Sequence, residues 1–315
     1  MDQYQYQRKL EPGAELAILV GLWLGCLMVG SLVTVPIWMI MTGKSIFAMT
    51  TEMTKPEHVN ALKVMQVVST IIIFFIPAVV TARIASKTPF QRLGFATRVK
   101  WKRAVIAMLI MLSVLPLVGF LADVNKAIPV TAAMKKFFDS MESQYMEQVK
   151  LMATFKTPVD YIIALFIIAF LPAVVEEVFF RGAMQQIFMR WFVTPGLVIF
   201  ITSLIFSAIH FSWYGFIPRM ALGMALGYIF YFTGNLWYSI LAHFFNNAFM
   251  VTLLYWQYLK YKKVDMEMGD SAPWWAGVLS LAAVIGLFIL LKKMSTTRVE
   301  PDSIASSPTD SNSIS

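Results

Sequence analysis

Three short polar groups interrupt the most apolar half of this sequence, and their residue types can do chemistry. The first is Glu176-Glu177-x-x-x-Arg181, inside a run that is otherwise largely apolar from Tyr161 to Phe192. A charge in a lipid-embedded helix costs roughly 2.5–3.5 kcal/mol on insertion scales, so a charged residue there marks a functional site by default. The other two groups carry histidine and asparagine, which can hold protons and donate hydrogen bonds.

The two carboxylates of the first group have different surroundings if the segment is a helix. Glu177 and Arg181 are four positions apart, so they can form an ion pair along one face. Glu176 points about 100° away from Glu177 and is left without a partner. Loss of water around an unpaired carboxylate makes it a stronger base. Glu176 is therefore the candidate general base, and we expect Glu177 and Arg181 to support it; the alternative is that both carboxylates serve packing alone.

The second group is Phe206-x-x-x-His210, and the third is His243-x-x-x-Asn247, with Asn246 as a near alternative. A single histidine on an apolar face is usually a satisfied core residue. Two of the three histidines of this chain lie in apolar runs, near a buried carboxylate and an amide. Because burying each of these groups is costly, together they favour one shared polar site.

Counting along the helices tests whether these groups can meet. Thr194-Pro195-Gly196 breaks the helix and predicts a hairpin. Glu176 lies as far before this hairpin as His210 lies after it, so the two residues reach the same height. The next turn is Gly234-Asn235, from which His243 rises only about 13 Å at 1.5 Å per residue. The third group therefore joins the other two only if its helix is tilted or its turn lies deeper.

Composition predicts that the positioning elements form a membrane protein. Of the 315 residues, 58% are hydrophobic and 14% are charged, which is more apolar surface than a soluble domain can bury. Eight apolar runs approach or exceed the ~18–20 residues that cross hydrocarbon. The expected fold is all-α, a polytopic membrane protein with about eight transmembrane helices and an interfacial amphipathic helix. The runs cover residues 14–41, 66–86, 104–122, 158–190, 194–212, 216–233, 236–258 and 274–292.

Charge predicts orientation rather than nucleic-acid binding, although the net charge is +8. Basic residues lie mainly between the apolar runs, and by the positive-inside rule the loop between the second and third runs is cytoplasmic. An even number of spans then places both termini in the cytoplasm, for which we expect the bacterial cytoplasmic membrane. The site would lie nearer the opposite ends of the spans. Cys26 is the single cysteine and cannot form an intramolecular disulfide.

Segments outside the spans divide the chain. Residues 131–156 alternate apolar and charged positions at helical spacing, which predicts an amphipathic helix at the interface, either a lid over the core or a cover for the bundle edge. His58 lies in a polar loop, where we expect it to be solvated. We divide the chain into N-terminal spans with the interfacial helix (1–157), a four-helix catalytic core (158–258), the last loop and span (259–293) and a disordered tail (294–315).

The order and intervals of the three groups resemble the CPBP family, which comprises type II CAAX prenyl endopeptidases and bacteriocin-processing or Abi-type intramembrane proteases. The resemblance covers roughly residues 158–258 and includes Glu176-Glu177-x-x-x-Arg181, Phe206-x-x-x-His210 and His243-x-x-x-Asn247. It implies an intramembrane endopeptidase acting on a membrane-associated peptide or a lipidated protein. By the mechanism proposed for the family, Glu176 and His210 activate a water, and His243 and Asn247 hydrogen-bond the developing oxyanion.

Other interpretations stay open from sequence. The family has also been described as metalloproteases, and Glu176, His210 and His243 are an acceptable zinc set. The lack of an HExxH pair, and the lack of a role for Asn247 beside zinc, favour the metal-free version. From different classes, the carboxylates would suit a proton-coupled transporter, although no internal repeat is visible, or the protein is a non-catalytic immunity or scaffold protein.

Overall fold

The computed structural model describes residues 10–192, 194–264 and 272–296. The described residues form helices and connecting loops without a β-strand, which confirms the all-α class. In chain order the helices are α1 (Pro12–Thr42), α2 (Ile46–Glu52), α3 (Pro56–Ala85), α4 (Pro89–Arg92), α5 (Trp101–Lys126), α6 (Ala132–Met152), α7 (Pro158–Trp191), α8 (Pro195–Ala208), α9 (Phe216–Thr233), α10 (Leu236–Tyr261) and α11 (Trp274–Thr296).

Six of the described helices, α1, α3, α5, α7, α9 and α11, are long and apolar enough to cross a membrane. The protein is thus a multi-pass membrane protein, but the predicted count of eight spans is not confirmed. Helix α8 has 14 residues, about 21 Å at 1.5 Å per residue, which is shorter than a ~30 Å hydrocarbon core. Helix α10 has 26 residues, but polar side chains such as Ser239, His243 and Asn247 reduce its hydropathy.

Helix ends follow local chemistry. Helix α7 begins with a capping box, in which the Thr157 hydroxyl accepts from the Asp160 backbone N–H and the Asp160 carboxylate accepts from the Thr157 backbone. Helix α9 ends at Gly234, whose φ of 62° lies in the left-handed region that favours glycine. These signals fix where α7 starts and where α9 ends.

Helix α7 contains two widened turns, at residues 165–170 and 178–185. The second begins directly after Glu177. Such π-helical turns often occur at functional sites. Within it, Arg181 donates to the Gly223 carbonyl at 2.9 Å and Gln185 donates to the Gly227 carbonyl at 3.1 Å. These two hydrogen bonds fasten α7 to α9 directly below the carboxylates.

The basic segment between α4 and α5 supports the turn before α10. The Leu236 N–H donates to the Gly94 carbonyl at 2.8 Å, and the Asn235 amide donates to the Arg98 carbonyl at 3.3 Å. Gly182 of α7 lies beside this turn, since a Cβ built on it would lie 3.4 Å from Cδ2 of Leu236 and 3.0 Å from the Leu93 carbonyl. The turn is therefore embedded in the bundle at the height of Gly182.

Three expectations outside the spans have different outcomes. The amphipathic helix is present as α6, capped by Thr131, whose hydroxyl accepts from the Met134 N–H at 3.3 Å. The expectation that His58 is solvated is wrong: its side chain is 10% exposed and its ring packs 5.0 Å from that of Trp38. Residues 294–296 belong to the last turn of α11, and the rest of the predicted disordered tail lies outside the described residues.

Candidate active site

One cavity of about 350 Å³ brings the three polar groups together. This size falls within the usual range of ligand sites. Its remaining walls are largely apolar and come from α3, α5, α6, α7, α9 and α10. The cavity is lined by all four predicted catalytic side chains, by the alternative amide Asn246 and by Phe206. The four are Glu176, His210, His243 and Asn247.

A fully buried ion pair lies behind the cavity wall. Arg181 Nη1 is 2.9 Å from Glu177 Oε1, and neither side chain is exposed. The same carboxylate oxygen is 3.0 Å from His243 Nδ1. Because a carboxylate accepts, the hydrogen bond places a proton on Nδ1 and directs Nε2 away from Glu177. The expected ion pair is present, and Glu177 has a second contact, with His243, that sequence reasoning missed.

Glu176 faces the cavity without a hydrogen-bonded cationic partner among the described residues. Its side chain is 13% exposed, and Oε2 lies 4.0 Å from His243 Nε2. This distance is too long for a hydrogen bond but short enough for one water or one substrate atom to contact both groups. The arrangement leaves Glu176 able to accept a proton from a group bound in the cavity.

His210 is oriented by its own chain. Its Nδ1 lies 2.7 Å from the Phe206 carbonyl, directly after α8 ends. A carbonyl accepts, so Nδ1 carries the proton, and Nε2 of the neutral ring keeps its lone pair. The Phe206 ring packs edge-on against His210 at 4.9 Å between centroids. His210 thus presents an acceptor nitrogen.

The two asparagines form a short chain of amides. Asn246 Nδ2 donates to Asn247 Oδ1 at 3.2 Å, and Asn247 Nδ2 donates to the Ile168 carbonyl at 3.4 Å. An amide nitrogen has two hydrogens, so Asn247 retains one for a bound group. Asn246 also lines the cavity, and both remain candidate donors.

The depth of α10 explains how His243 reaches Glu176. Glu176 lies six residues before Gly182 on α7, and His243 lies seven residues after Leu236 on α10. Gly182 and Leu236 are in contact, so both side chains lie about 10 Å above the same level at 1.5 Å per residue. The deeper turn, rather than tilt alone, brings in the third group.

Sequence reasoning missed a cation in the same cavity. Arg219, in the first turn of α9, lines it together with Tyr145 and Val149 of α6. Its guanidinium carbon lies 5.8 Å from the centre of the Tyr145 ring. The available signal was a charged residue at the start of an apolar run, the same criterion that singled out Glu176.

One cluster outside the cavity has donor atoms at metal-ligand spacing. Among the described residues, Glu52, Glu57 and His58 have ligand atoms within 4.8 Å of one another. A hydrogen bond from Lys55 holds the pKa of Glu52 below its usual range. The Glu52 carboxylate is therefore already paired with the Lys55 ammonium group.

The predicted zinc set behaves differently. Glu176, His210 and His243 have donor types that suit zinc, but their ligand atoms do not all lie within 4.8 Å of one another. This spacing does not fit one ion.

Comparison with known proteins supports the resemblance for this part of the chain. Residues 158–249 match the family model described as type II CAAX prenyl endopeptidase Rce1-like. A segment of 97 residues is 32% identical to the uncharacterized protein YpbD of Bacillus subtilis (strain 168), covering 30% of this chain and 47% of that protein. The chain thus matches about half the length of this relative. No solved structure matches the chain. The matched segment contains all three polar groups, and the family it matches is a protease family.

Proposed function

We propose that this protein is an intramembrane endopeptidase that hydrolyses a peptide bond of a membrane-associated or lipid-modified substrate. The observation that carries the proposal is the convergence of Glu176, His210, His243 and Asn247 on one cavity. The match of residues 158–249 to an endopeptidase family supports the same reaction class.

The proposed reaction uses water as the nucleophile. Glu176 takes a proton from a water that His210 Nε2 helps to orient, and the water oxygen bonds to the scissile carbonyl carbon. The carbonyl oxygen becomes an oxyanion. The oxyanion then re-forms the carbonyl as the C–N bond breaks, and the proton passes from Glu176 to the leaving amine. The products are a carboxylic acid and an amine, and Glu176 is again a carboxylate.

The oxyanion is stabilised by donors on α10. Asn247 donates through Nδ2, and His243 donates through Nε2 when its ring carries both protons. The buried Glu177 carboxylate, 3.0 Å from Nδ1, fixes the orientation of this ring. Each well-placed donor of this kind contributes roughly 3–4 kcal/mol in other enzymes.

Proteomics identifies a substrate first, by comparing cells that carry wild type with cells that carry Glu176→Gln. The purified enzymes are then tested on the peptide that accumulates uncut. We expect Glu176→Gln and His210→Ala to abolish cleavage while the folded protein still accumulates. Glu57→Gln, at an exposed carboxylate outside the cavity, serves as the matched control. Cleavage by Glu176→Gln at the wild-type rate would overturn the assignment.

The same preparation separates the alternatives. Activity that persists in a strong chelator supports the metal-free version, whereas loss of activity that zinc restores supports zinc. Flux driven by a pH gradient in proteoliposomes would indicate a transporter. Complementation by the Glu176 and His210 double mutant would indicate a non-catalytic immunity or scaffold protein.

We further propose the bacterial cytoplasmic membrane as the location, with both termini in the cytoplasm. The substrate peptide and the bilayer are the proposed partners, and nucleic acid is not. The concentration of basic residues between α3 and α5 supports this orientation.

A further inference from the structure

Arg219 is a cation whose charge the proposed reaction does not use. Its Nη1 is buried without a hydrogen-bond partner, and it forms no ion pair with a carboxylate of the described residues. A buried guanidinium N–H group that has no acceptor is unfavourable. The side chain nevertheless faces the cavity that holds Glu176 and His210.

The surroundings hold the guanidinium without consuming its donors. The Tyr145 ring covers it at 5.8 Å through a cation–π contact. It also packs against the loop before α9, since a Cβ built on Gly215 would lie 2.8 Å from Nη2. Neither contact satisfies an N–H group, so the planar fork stays available to an anion.

We propose that Arg219 binds a carboxylate of the peptide substrate, within a few residues of the scissile bond. This inference rests on the proposed function and names a substrate class for the same cavity. Arginine suits the role because its fork forms two parallel, charge-assisted hydrogen bonds to a carboxylate. A peptide offers that group either as its C-terminal α-carboxylate or as an Asp or Glu side chain. Because Arg219 lines the same cavity as Glu176 and His210, a carboxylate bound to Arg219 would lie near the cleaved bond.

Glu142 of α6 is the obvious internal competitor for the guanidinium. Its carboxylate accepts a hydrogen bond from the Ser212 hydroxyl at 2.8 Å, and Ser212 lies beside Gly215 in the loop that Arg219 packs against. If Arg219 served only to hold Glu142, removing either charge would have the same effect. The variants below separate the two roles.

The test measures binding, so that it does not depend on cleavage. The protein is the purified full chain carrying Glu176→Gln, and the probes are three myristoylated, fluorescent apolar peptides of one sequence. One ends in a free carboxylate, one in an amide, and one in an amide with a single Glu side chain. We expect one or both carboxylate peptides to bind about ten- to hundredfold more tightly than the plain amide. Which of the two is preferred identifies the source of the carboxylate.

Substitutions assign the preference to the residue. Arg219→Gln is expected to abolish the difference between acid and amide, and Arg219→Lys to retain part of it. Arg98→Gln, which removes an exposed arginine outside the cavity, should preserve it. Glu142→Gln should leave the acid-to-amide ratio unchanged. Thermal unfolding in detergent verifies that each variant is folded.

The inference fails if the wild-type cavity binds acid and amide equally, or if Arg219→Gln keeps the preference. It also fails if short-chain phosphatidic acid alone binds in an Arg219-dependent way, which would make the partner a lipid phosphate. The proposed function fails separately, if Glu176→Gln cleaves the identified substrate at the wild-type rate. In the cleavage assay, a rise in KM of Arg219→Gln for the carboxylate peptide at unchanged kcat supports recognition of the carboxylate by Arg219. A fall in kcat of Arg219→Gln for all peptides contradicts it.

Discussion

At the scale of single residues, one buried carboxylate contacts two basic groups. Glu177 lies 2.9 Å from Arg181 and 3.0 Å from His243, through the same oxygen. The Glu177–Arg181 ion pair therefore does more than reduce the cost of burying two charges. Its carboxylate also places a proton on Nδ1 of His243, a ring that lines the cavity. The i,i+4 spacing revealed the first contact, whereas the second joins helices far apart in sequence and left no local pattern.

We predict that Glu177→Gln lowers both stability and turnover. Arg181 would be left as an uncompensated buried charge, which costs about 3–5 kcal/mol. The charged acceptor that orients the His243 ring through Nδ1 would also be lost, and turnover should fall about 10–100-fold. Thermal unfolding in detergent and the cleavage rate check the two effects, with Glu57→Gln as control. Wild-type values in both would show that Glu177 is only a packing residue.

Phe206 is an aromatic contact shared by the site. Its ring lies 4.8 Å from the Arg181 guanidinium carbon, 4.9 Å from the His210 ring and 6.2 Å from the His243 ring. We expect Phe206→Ala to destabilise the protein by about 3–5 kcal/mol, as for other large buried rings. Phe206→Leu should unfold closer to wild type yet cleave more slowly, because most of the apolar volume is kept while the ring contacts are lost. Equal activity of Phe206→Leu and wild type contradicts a positioning role.

At the scale of elements, α6 rests on the loop that carries His210. The Phe138 and Trp213 rings stack at 4.6 Å with 6° between planes. The Tyr214 hydroxyl donates to Asp139 at 2.5 Å, and this carboxylate raises the pKa of Tyr214 above its usual range. Because Tyr145 of the same helix lines the cavity, these contacts favour the lid interpretation over the edge cover.

A crosslink tests whether this lid must move. In a Cys26→Ser background, Phe138→Cys and Trp213→Cys are joined by a short bis-maleimide. We predict that the crosslinked protein loses cleavage of a membrane-anchored peptide, since entry requires α6 to separate from the loop. Each single-cysteine variant, treated in the same way, should remain active. Full activity after complete crosslinking would make α6 a static cover.

Two glycines on different helices give a matched pair of substitutions. A Cβ on Gly227 of α9 would lie 2.8 Å from Cγ2 of Ile199 and 3.1 Å from Gln185 Oε1, whereas a Cβ on Gly286 of α11 meets nothing within 4 Å. We predict that Gly227→Ala lowers the free energy of unfolding by about 1–3 kcal/mol through overpacking. Gly286→Ala should be neutral or stabilising by up to about 1 kcal/mol. Equal unfolding temperatures for the two variants would contradict the close packing of α8 on α9.

Apolar runs predicted where helices exist, but not how deeply each lies. Run length and composition identified α7, α9 and α10 within a few residues. The start of α10 depends on a hydrogen bond from Leu236 to Gly94, two residues that no periodicity connects. The end of α8 at Ala208 was also missed, because the apolar pattern continues through Ile209 and Phe211 although the helix stops. Catalytic roles for the polar groups remain predictions that only the variants above test.

At the scale of the whole molecule, contacts between helix ends define two sides. Glu15 at the start of α1 pairs with Arg92 at 2.5 Å and with Arg190 near the end of α7 at 2.6 Å. Arg103 at the start of α5 donates to the Met294 carbonyl at the end of α11. These ends, with the turn before α10, therefore lie on one side. Helix α6 and the His210 loop follow the opposite ends of α5 and α8, so the cavity is nearer the other side.

The final prediction concerns which side faces the cytoplasm. The side of Glu15 and Arg92 carries the dense basic loop, which the positive-inside rule assigns to the cytoplasm. In a Cys26→Ser background, we expect an impermeant maleimide to label Lys135→Cys on α6 in intact cells, and Lys87→Cys only after lysis; both positions are exposed. A substrate would then reach Glu176 from the non-cytoplasmic face, so its scissile bond would lie in the outer half of the bilayer. The reverse labelling pattern would invert the protein and require a substrate presented from the cytoplasm.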